Sequence, residues 1–190
     1  MKNFVTLPLV GIAAFALAAC SETAATNEMA TTAQTSAAIT AEDVAAAQQA
    51  WGEGIVAIGQ AFTQGGDYTA RATEHINTHY AYEDGMDVLF KPTLAKDDQF
   101  RGTFEEALSY FVGKEGTEDK GFAIAPYTNV RWENEGTILD SDSAMAMGNY
   151  FFTGTDGNET KVEYTFGYTR NDAGEVVINL HKSALPFSGS

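Results

Sequence analysis

The pattern of apolar and polar residues predicts a long helix at the start of the folded part of the chain. Six side chains fall at helical spacing on one face, namely Val44, Gln48, Trp51, Ile55, Ile58 and Phe62. Thr40, with Asp43 three residues later, resembles a capping box, in which two residues satisfy each other's free backbone N–H groups. Gly65-Gly66 is typical of a helix end. We therefore expect the first helix to lie between these signals.

Two shorter helices are predicted by the same kinds of signal. Asp67 is a capping residue for a second helix that runs to about Thr78. Thr103, with Glu106 at the box position, begins a third helix, which Gly113 should end. The third helix has four apolar residues on its buried face, namely Phe104, Ala107, Leu108 and Phe111.

The rest of the chain has the alternating pattern of strands. Two short strands are predicted within residues 80–90, and longer ones at 122–133, 144–153, 161–170 and 175–183. Turn residues at 155–158 and 171–174 indicate hairpins. Within 161–170, four side chains share one face at period two, namely Val162, Tyr164, Phe166 and Tyr168. Three helices followed by an antiparallel meander predict an α+β domain, with a curved sheet on the helices and a cavity between them.

The last predicted strand carries a candidate catalytic pair. His181 and Ser183 are two residues apart, so they point to the same face of a strand together with Val177 and Asn179. Two interpretations remain open from the pattern alone. The polar face is solvated and His181 has no role, or that face lines a cavity and the imidazole and hydroxyl act together.

The chain begins with the features of an export signal. Met1-Lys2 precedes an apolar run from Phe4 to Ala19, which is too short for a membrane span. The segment Leu17-Ala18-Ala19-Cys20 resembles a bacterial lipobox, in which Cys20 becomes the lipidated first residue. We therefore expect a signal peptide at 1–19, a flexible tether at 20–40 and one domain at 41–190. Lipid on Cys20 places the protein in the cell envelope on the periplasmic side, and Ser21 favours the outer membrane by similarity to known sorting rules.

Charge and cysteine content exclude several classes of function. The net charge of the sequence is -15, and removal of the signal peptide takes away Lys2 and no acidic residue. So acidic a chain is not expected to bind nucleic acid or an anionic membrane surface by electrostatics. Cys20 is the single cysteine, so an intrachain disulfide and a cysteine-based metal site are excluded.

His75 and His79 are four residues apart on the predicted second helix. Two imidazoles at this spacing can share a metal ion. The segment lacks the glutamate of a metalloprotease motif, however, and the favoured interpretation is a helix end with surface or half-buried histidines. The sequence also lacks a phosphate-binding glycine loop and a nucleophile elbow. No metal or other cofactor is therefore expected.

Several segments together resemble one known family. They are Val88-Leu89-Phe90-Lys91-Pro92-Thr93, Gln99-Phe100-Arg101-Gly102-Thr103, Ser109-Tyr110-Phe111, Tyr164-Thr165-Phe166-Gly167-Tyr168 and His181-Lys182-Ser183-Ala184-Leu185-Pro186. These segments are similar to those of the iota-class carbonic anhydrases, which belong to the SnoaL-like, NTF2-like superfamily. The resemblance extends from about residue 41 to residue 187.

The resemblance implies a cone-shaped α+β fold, a homodimer and the interconversion of carbon dioxide and bicarbonate, without metal in several members. It implies a site made of Thr93, Tyr110, His181 and Ser183. The family tail commonly has a second histidine and a second serine, where this chain has Lys182 and Ala184. Because residues 182 and 184 point away from 181 and 183, the reactive face should be intact.

A mechanism follows from this resemblance as a hypothesis. Without a metal, a neutral imidazole is the best available base, so His181 would take the proton of water while the three hydroxyl groups orient the reactants. Phe90, Phe111 and Phe166 would form an apolar wall for carbon dioxide. The alternative is a non-catalytic envelope lipoprotein that binds a small ligand, because folds of this kind host many functions.

Overall fold

The computed structural model describes residues 37–189, and within them the chain forms three helices and five strands. The helices are α1 (Ala41–Thr63), α2 (Tyr68–His79) and α3 (Phe104–Val112). The strands are β1 (Leu89–Lys91), β2 (Asn129–Leu139), β3 (Ser143–Thr153), β4 (Glu159–Arg170) and β5 (Val176–Ala184). The predicted signal peptide and Cys20 lie outside the described residues.

The predicted helix starts are confirmed, because each depends on local hydrogen bonds. The Thr40 side chain accepts from the backbone N–H of Asp43, whose carboxylate accepts from the Thr40 N–H in return. Thr103 and Glu106 form the same reciprocal pair at α3. The Asp67 carboxylate accepts a hydrogen bond from the backbone N–H of Ala70, the third residue of α2. Each of these caps satisfies backbone N–H groups that the start of a helix leaves without a partner.

The five strands form one sheet in the order β1-β5-β4-β3-β2, antiparallel except for the parallel pair β1 and β5. Two predicted strand starts are wrong. Tyr80 makes a single isolated bridge to Ile178 before the chain turns. Residues 122–128 precede β2 as irregular chain, because the amides of Phe122 and Ala123 donate to the end of α3 instead of to a neighbouring strand.

A register shift between β4 and β5 changes which residues share a face. Gly167 pairs with Leu180 while Tyr168 pairs with Ile178, so Asn179 between them is an extra residue. The prediction that Asn179 shares a face with His181 is therefore wrong. Beyond the shift the alternation is regular.

The end of β5 is arranged as predicted from the alternation of its residues. His181 pairs with Phe166 and Ser183 pairs with Tyr164. His181 and Ser183 are buried between the sheet and the helices, at 3% and 2% exposed. Lys182 is exposed on the other face.

The core lies between the helices and the inner face of the sheet. Trp51 of α1 is fully buried, and its ring meets aromatic rings from α2, from residues 122–128 and from β2, β3, β4 and β5. Ile39 is also in the core, and Arg170 binds the carbonyls of Ala37 and Ala38. The packed domain therefore begins slightly before α1. Within residues 37–189, no helix combines the length and the apolar character needed to cross a bilayer.

Candidate active site

A cavity of about 70 Å³ lies between α3 and the inner face of the sheet. That volume admits a few molecules of the size of water or carbon dioxide, because a cavity of roughly 10–15 Å³ is enough for one water. The cavity is lined by β1 and the loop after it, by α3, by residues 122–127 and by the ends of β3, β4 and β5. The wall includes all four of the predicted catalytic residues, namely Thr93, Tyr110, His181 and Ser183.

His181 is held on all sides. Its ring stacks on Phe90, with centroids 4.5 Å apart, and contacts Phe166 at 4.0 Å. Nδ1 lies 2.8 Å from the Tyr80 hydroxyl, and Nε2 lies 3.5 Å from the Tyr150 hydroxyl at the edge of the cavity. Burial lowers the pKa of His181 well below the usual range, because the charged ring would be desolvated. His181 is therefore neutral at neutral pH.

Thr93 and Ser183 form a hydrogen-bonded pair beside this ring, with their hydroxyl oxygens 2.9 Å apart. The parallel pairing of β1 with β5 explains the contact. Lys91 pairs with Lys182, so the chain that leaves β1 passes Ser183. Pro92 ends the strand, because it has no N–H for the sheet. The pairing of the three residues of β1 with β5 therefore brings Thr93 next to Ser183, which lies 90 positions later in the sequence.

Tyr110 supports the loop that carries Thr93. It lies on α3 and is 5% exposed, and its hydroxyl accepts a hydrogen bond from the Leu94 N–H at 3.3 Å. Burial raises the pKa of Tyr110, so the phenol keeps its proton. Tyr110 therefore contributes both a cavity wall and a fixed position for the neighbouring threonine.

Tyr150 was not predicted, although it faces the same cavity. Its side chain is 2% exposed and its hydroxyl lies 3.5 Å from Nε2 of His181. Burial raises the pKa of Tyr150, while the hydroxyls of Ser183 and Thr93 act in the opposite direction. The alternation of buried Tyr150 and Phe152 along β3 is the sequence signal that would have placed it inward.

The predicted apolar wall is only partly formed by the expected residues. Phe90 lines the cavity. Phe166 packs against the imidazole of His181, and Phe111 lies deeper, beside His75; neither lines the cavity. Other apolar side chains complete the wall, among them Phe122, Phe152 and Val162.

The loop after β1 is fixed by a polar cluster outside the cavity. Arg101, 3% exposed, donates to Asp119 at 2.6 Å, and Ser109 donates to the other oxygen of Asp119 at 2.5 Å. The Glu118 carboxylate accepts the backbone N–H groups of residues 96, 97 and 98, and these bonds lower the pKa of Glu118 to about 2. This cluster holds the segment that presents Thr93 and Leu94.

His75 and His79 lie outside the cavity. Their ring centroids are 4.6 Å apart, but His75 is 4% exposed, so the expectation that it is a surface or half-buried residue is wrong. Within the described part of the chain, neither nitrogen of His75 has a hydrogen-bond partner. Gly54 leaves room for the ring, since a Cβ there would lie 2.1 Å from Nδ1. Burial lowers the pKa of His75 well below its usual range and that of His79 to about 4. In residues 37–189, no group of three or more His, Cys, Asp or Glu side chains is arranged to hold a metal ion.

The sequence is similar to a described family and to one of its curated members. Residues 42–185 match the family model described as metal-independent carbonic anhydrase. A protein of that name from Nostoc sp. (strain PCC 7120 / SAG 25.82 / UTEX 2576) is 41% identical over 155 residues, which cover 79% of this chain and 75% of the relative.

Solved structures are similar in fold as well. The crystal structure of the iota-carbonic anhydrase from a cyanobacterium, complexed with bicarbonate, superposes with a TM-score of 0.76 at 38% identity and covers 80% of this chain and 95% of its own. A putative calcium/calmodulin dependent protein kinase II association domain from Xanthomonas campestris has a TM-score of 0.52 at 22% identity, over 80% of this chain and 91% of its own. The second likeness indicates a shared fold.

Proposed function

Because the chain belongs to the metal-independent carbonic anhydrase family, and so interconverts carbon dioxide and bicarbonate without a metal, we propose that the cavity between α3 and the sheet is its reaction site. The observation that carries the proposal is the Thr93–Ser183 hydroxyl pair, 2.9 Å apart, in the same wall as the His181 ring. The alternative of a non-catalytic ligand-binding lipoprotein has no comparable support.

The apolar part of the cavity suits carbon dioxide, and its polar part suits water. Leu94 and Leu185 are lining residues that are also largely exposed, so they form the mouth. Phe90 and its apolar neighbours receive the uncharged substrate, while the Thr93–Ser183 pair holds a water by hydrogen bonds. Fixing the two reactants side by side removes much of the entropic cost of their encounter.

In the reaction, the water oxygen forms a bond to carbon. One C=O electron pair moves onto its oxygen, and the water gives up one proton. Fixed hydroxyl and N–H donors stabilise the oxygen that gains charge, each by on the order of 100-fold in rate. The neutral His181 ring contributes through Nε2. Without a hydrogen, Nε2 would accept the proton of the water. With a hydrogen, it would donate a hydrogen bond to the oxygen that gains charge.

The experiment that tests this function is oxygen-18 exchange between carbon dioxide and water, measured on the purified protein with and without a chelator. We expect exchange well above background and no loss with chelator. Background exchange would contradict the activity, and loss on chelation would contradict the absence of a metal.

We also propose that the domain is anchored through lipid on Cys20, on the periplasmic side of the outer membrane. The support is the basic start, the apolar run to Ala19, the lipobox-like Leu17-Ala18-Ala19-Cys20 and Ser21 after the cysteine. Labelled fatty acid should be incorporated into the wild-type chain, and Cys20→Ser should prevent it. Incorporation into both chains would contradict this assignment.

A homodimer is the proposed assembly. The family resemblance implies it, and four large apolar side chains are exposed on β2 and β3, namely Ile138, Leu139, Met145 and Met147. Ile138 pairs with Met145 across the two strands, and Met147 lies two residues along β3, so these three side chains form a continuous apolar patch. We expect a dimer mass in light scattering and a monomer for Met147→Glu. A wild-type monomer would contradict the proposal.

A further inference from the structure

A chain of hydrogen bonds runs behind the His181 ring, away from the cavity. The Trp51 indole N–H donates to the Tyr80 hydroxyl at 3.0 Å, and that hydroxyl lies 2.8 Å from Nδ1 of His181. Trp51 and Tyr80 are 0% exposed and His181 is 3% exposed. The indole N–H, the Tyr80 hydroxyl and Nδ1 of His181 lie in the packed core on the side away from the cavity, so these three groups must satisfy one another's hydrogen bonds.

Counting these hydrogens assigns the direction of each bond. An indole nitrogen can only donate, so the Tyr80 oxygen is the acceptor from Trp51. The Tyr80 hydroxyl then has one hydrogen to place, and within residues 37–189 its only acceptor at hydrogen-bonding distance is Nδ1 of His181. Burial raises the pKa of Tyr80 well above its usual range, so that hydrogen stays on the phenol. If Nδ1 carried a hydrogen of its own, the buried hydroxyl would be left without an acceptor, which costs free energy.

We infer that Tyr80 is a positioning residue that holds His181 in the tautomer with its hydrogen on Nε2, so that the ring presents an N–H donor to the cavity. The inference rests on the proposed reaction site and refines the part that His181 plays there. The sequence suggested a base, which needs a bare Nε2. With the hydrogen on Nε2, His181 instead donates to the oxygen of carbon dioxide that gains negative charge.

The proton of the attacking water then needs another route, and the Thr93–Ser183 pair provides it. Thr93 accepts the water proton and passes its own proton along its hydrogen bond to Ser183, while Ser183 gives its proton to the oxygen that receives the C=O electron pair. The hydroxyls are restored, and the product is neutral carbonic acid, which ionises to bicarbonate after it leaves. No charged histidine forms in the cavity, in agreement with the burial of His181.

Packing against two phenylalanine rings holds the His181 ring in one orientation. Phe90 lies nearly parallel to the imidazole, with 18° between the planes, and Phe166 contacts it at a steeper angle of 56°. Tyr80 is itself fixed by the bridge to Ile178. The Tyr80–His181 contact is therefore part of a packed arrangement in which the two nitrogens have different surroundings.

The test is long-range proton–nitrogen NMR of the histidine rings in the purified full chain, which reports the nitrogen that carries the hydrogen. In the wild type we expect His181 to give the pattern of a neutral ring with hydrogen on Nε2. In Tyr80→Phe we expect a mixture of tautomers and a fall in kcat of at least about 10-fold, since loss of the group that orients a catalytic histidine is costly. KM should change little.

Tyr168→Phe is the matched control. Tyr168 is 1% exposed on β4, and its hydroxyl has no hydrogen-bond partner within the described residues, so this change removes a buried hydroxyl that does not bind His181. We expect the wild-type tautomer and the wild-type rate. Equal effects of Tyr80→Phe and Tyr168→Phe would overturn the inference, because they would indicate general loosening of the core.

The wild-type spectrum decides the question even if Tyr80→Phe does not fold. A hydrogen on Nδ1 of His181 would overturn the inference, whereas one on Nε2 supports it. The outcome is also separate from that of the proposed function, because the tautomer is observed without turnover and oxygen-18 exchange is observed without knowledge of the tautomer.

Discussion

Phe90 and His181 lie directly opposite each other on the parallel strands β1 and β5, and their rings stack with centroids 4.5 Å apart. One strand of three residues thus supports the histidine and, two residues past its end, delivers Thr93 to Ser183. The two halves of the proposed site are aligned by this register.

The first prediction concerns the alternation of side chains at the end of β5. His181→Ala and Ser183→Ala should each lower kcat/KM for carbon dioxide hydration by about 100-fold, because each removes a polar group from the cavity. Lys182→Ala is the matched control, since Lys182 is exposed on the opposite face. Oxygen-18 exchange measures all three. An effect of Lys182→Ala as large as that of its neighbours would contradict this placement.

The second prediction separates the hydroxyl of Thr93 from its methyl group. Thr93→Ala should lower the exchange rate by at least about 10-fold, because Ser183 loses its partner in the cavity. Thr93→Ser keeps the hydroxyl and should retain most of the activity. Equal losses in the two variants would mean that the methyl group, and not the hydrogen bond, is what the site requires.

The third prediction concerns the carboxylate that fixes the loop after β1. Its three backbone hydrogen bonds lower the pKa of Glu118 to about 2 from 4.5, so its contribution to stability is complete above about pH 4.5 and is lost as the pH falls toward 2. Glu118→Gln should lower Tm at pH 7, and the difference should shrink over that range.

The control for this loop is Glu115→Gln. Glu115 is exposed in the same segment and has no hydrogen bond to residues 96–98. Thermal unfolding of both variants from pH 7 to pH 2 provides the comparison. A Glu118→Gln difference that stayed constant with pH would show that the carboxylate charge is not the stabilising feature.

The fourth prediction concerns the His75 ring, which is buried and has no hydrogen-bond partner among residues 37–189. Because the pKa of His75 is lowered in the folded chain, its ring binds a proton below about pH 6.5 in the unfolded chain but stays neutral in the folded one. The free energy of unfolding therefore falls as the pH drops through 6.5. His75→Leu removes this effect, which is worth up to about 1.4 kcal/mol per pH unit. In urea unfolding, the free energy of unfolding of His75→Leu relative to that of the wild type should therefore be higher at pH 5 than at pH 8. The same difference at both pH values would refute it.

Local signals in the sequence were enough to predict the helices and the inward-facing end of β5. Thr40, Asp67 and Thr103 act on amides within one helical turn, so their effect is visible without the rest of the fold. Likewise, His181 and Ser183 needed only the alternation of a strand. The extra residue at Asn179 could not be found this way, because a bulge is a property of two paired strands.

The inner half of the site was beyond the reach of sequence patterns. Tyr80 looked like the start of a strand, and Trp51 like one apolar position of a helix. Their hydrogen bonds join residues 29 and 101 positions apart, and only packing of α1 against the sheet brings them together. Tyr150 could have been placed inward from its alternation with Phe152, but that pattern does not show that it faces a cavity, because α3 and β1 enclose the cavity only in the folded chain.

The Thr93–Ser183 contact also has a consequence for the order of folding. It closes a loop of 90 residues through a short parallel pairing, and contacts of such length form slowly, because the entropy of the intervening chain must be lost first. The helices can form early, but the hydroxyl pair exists only when the last strand has docked beside β1. During refolding, activity should therefore return after helical signal, and it should report completion of the native topology.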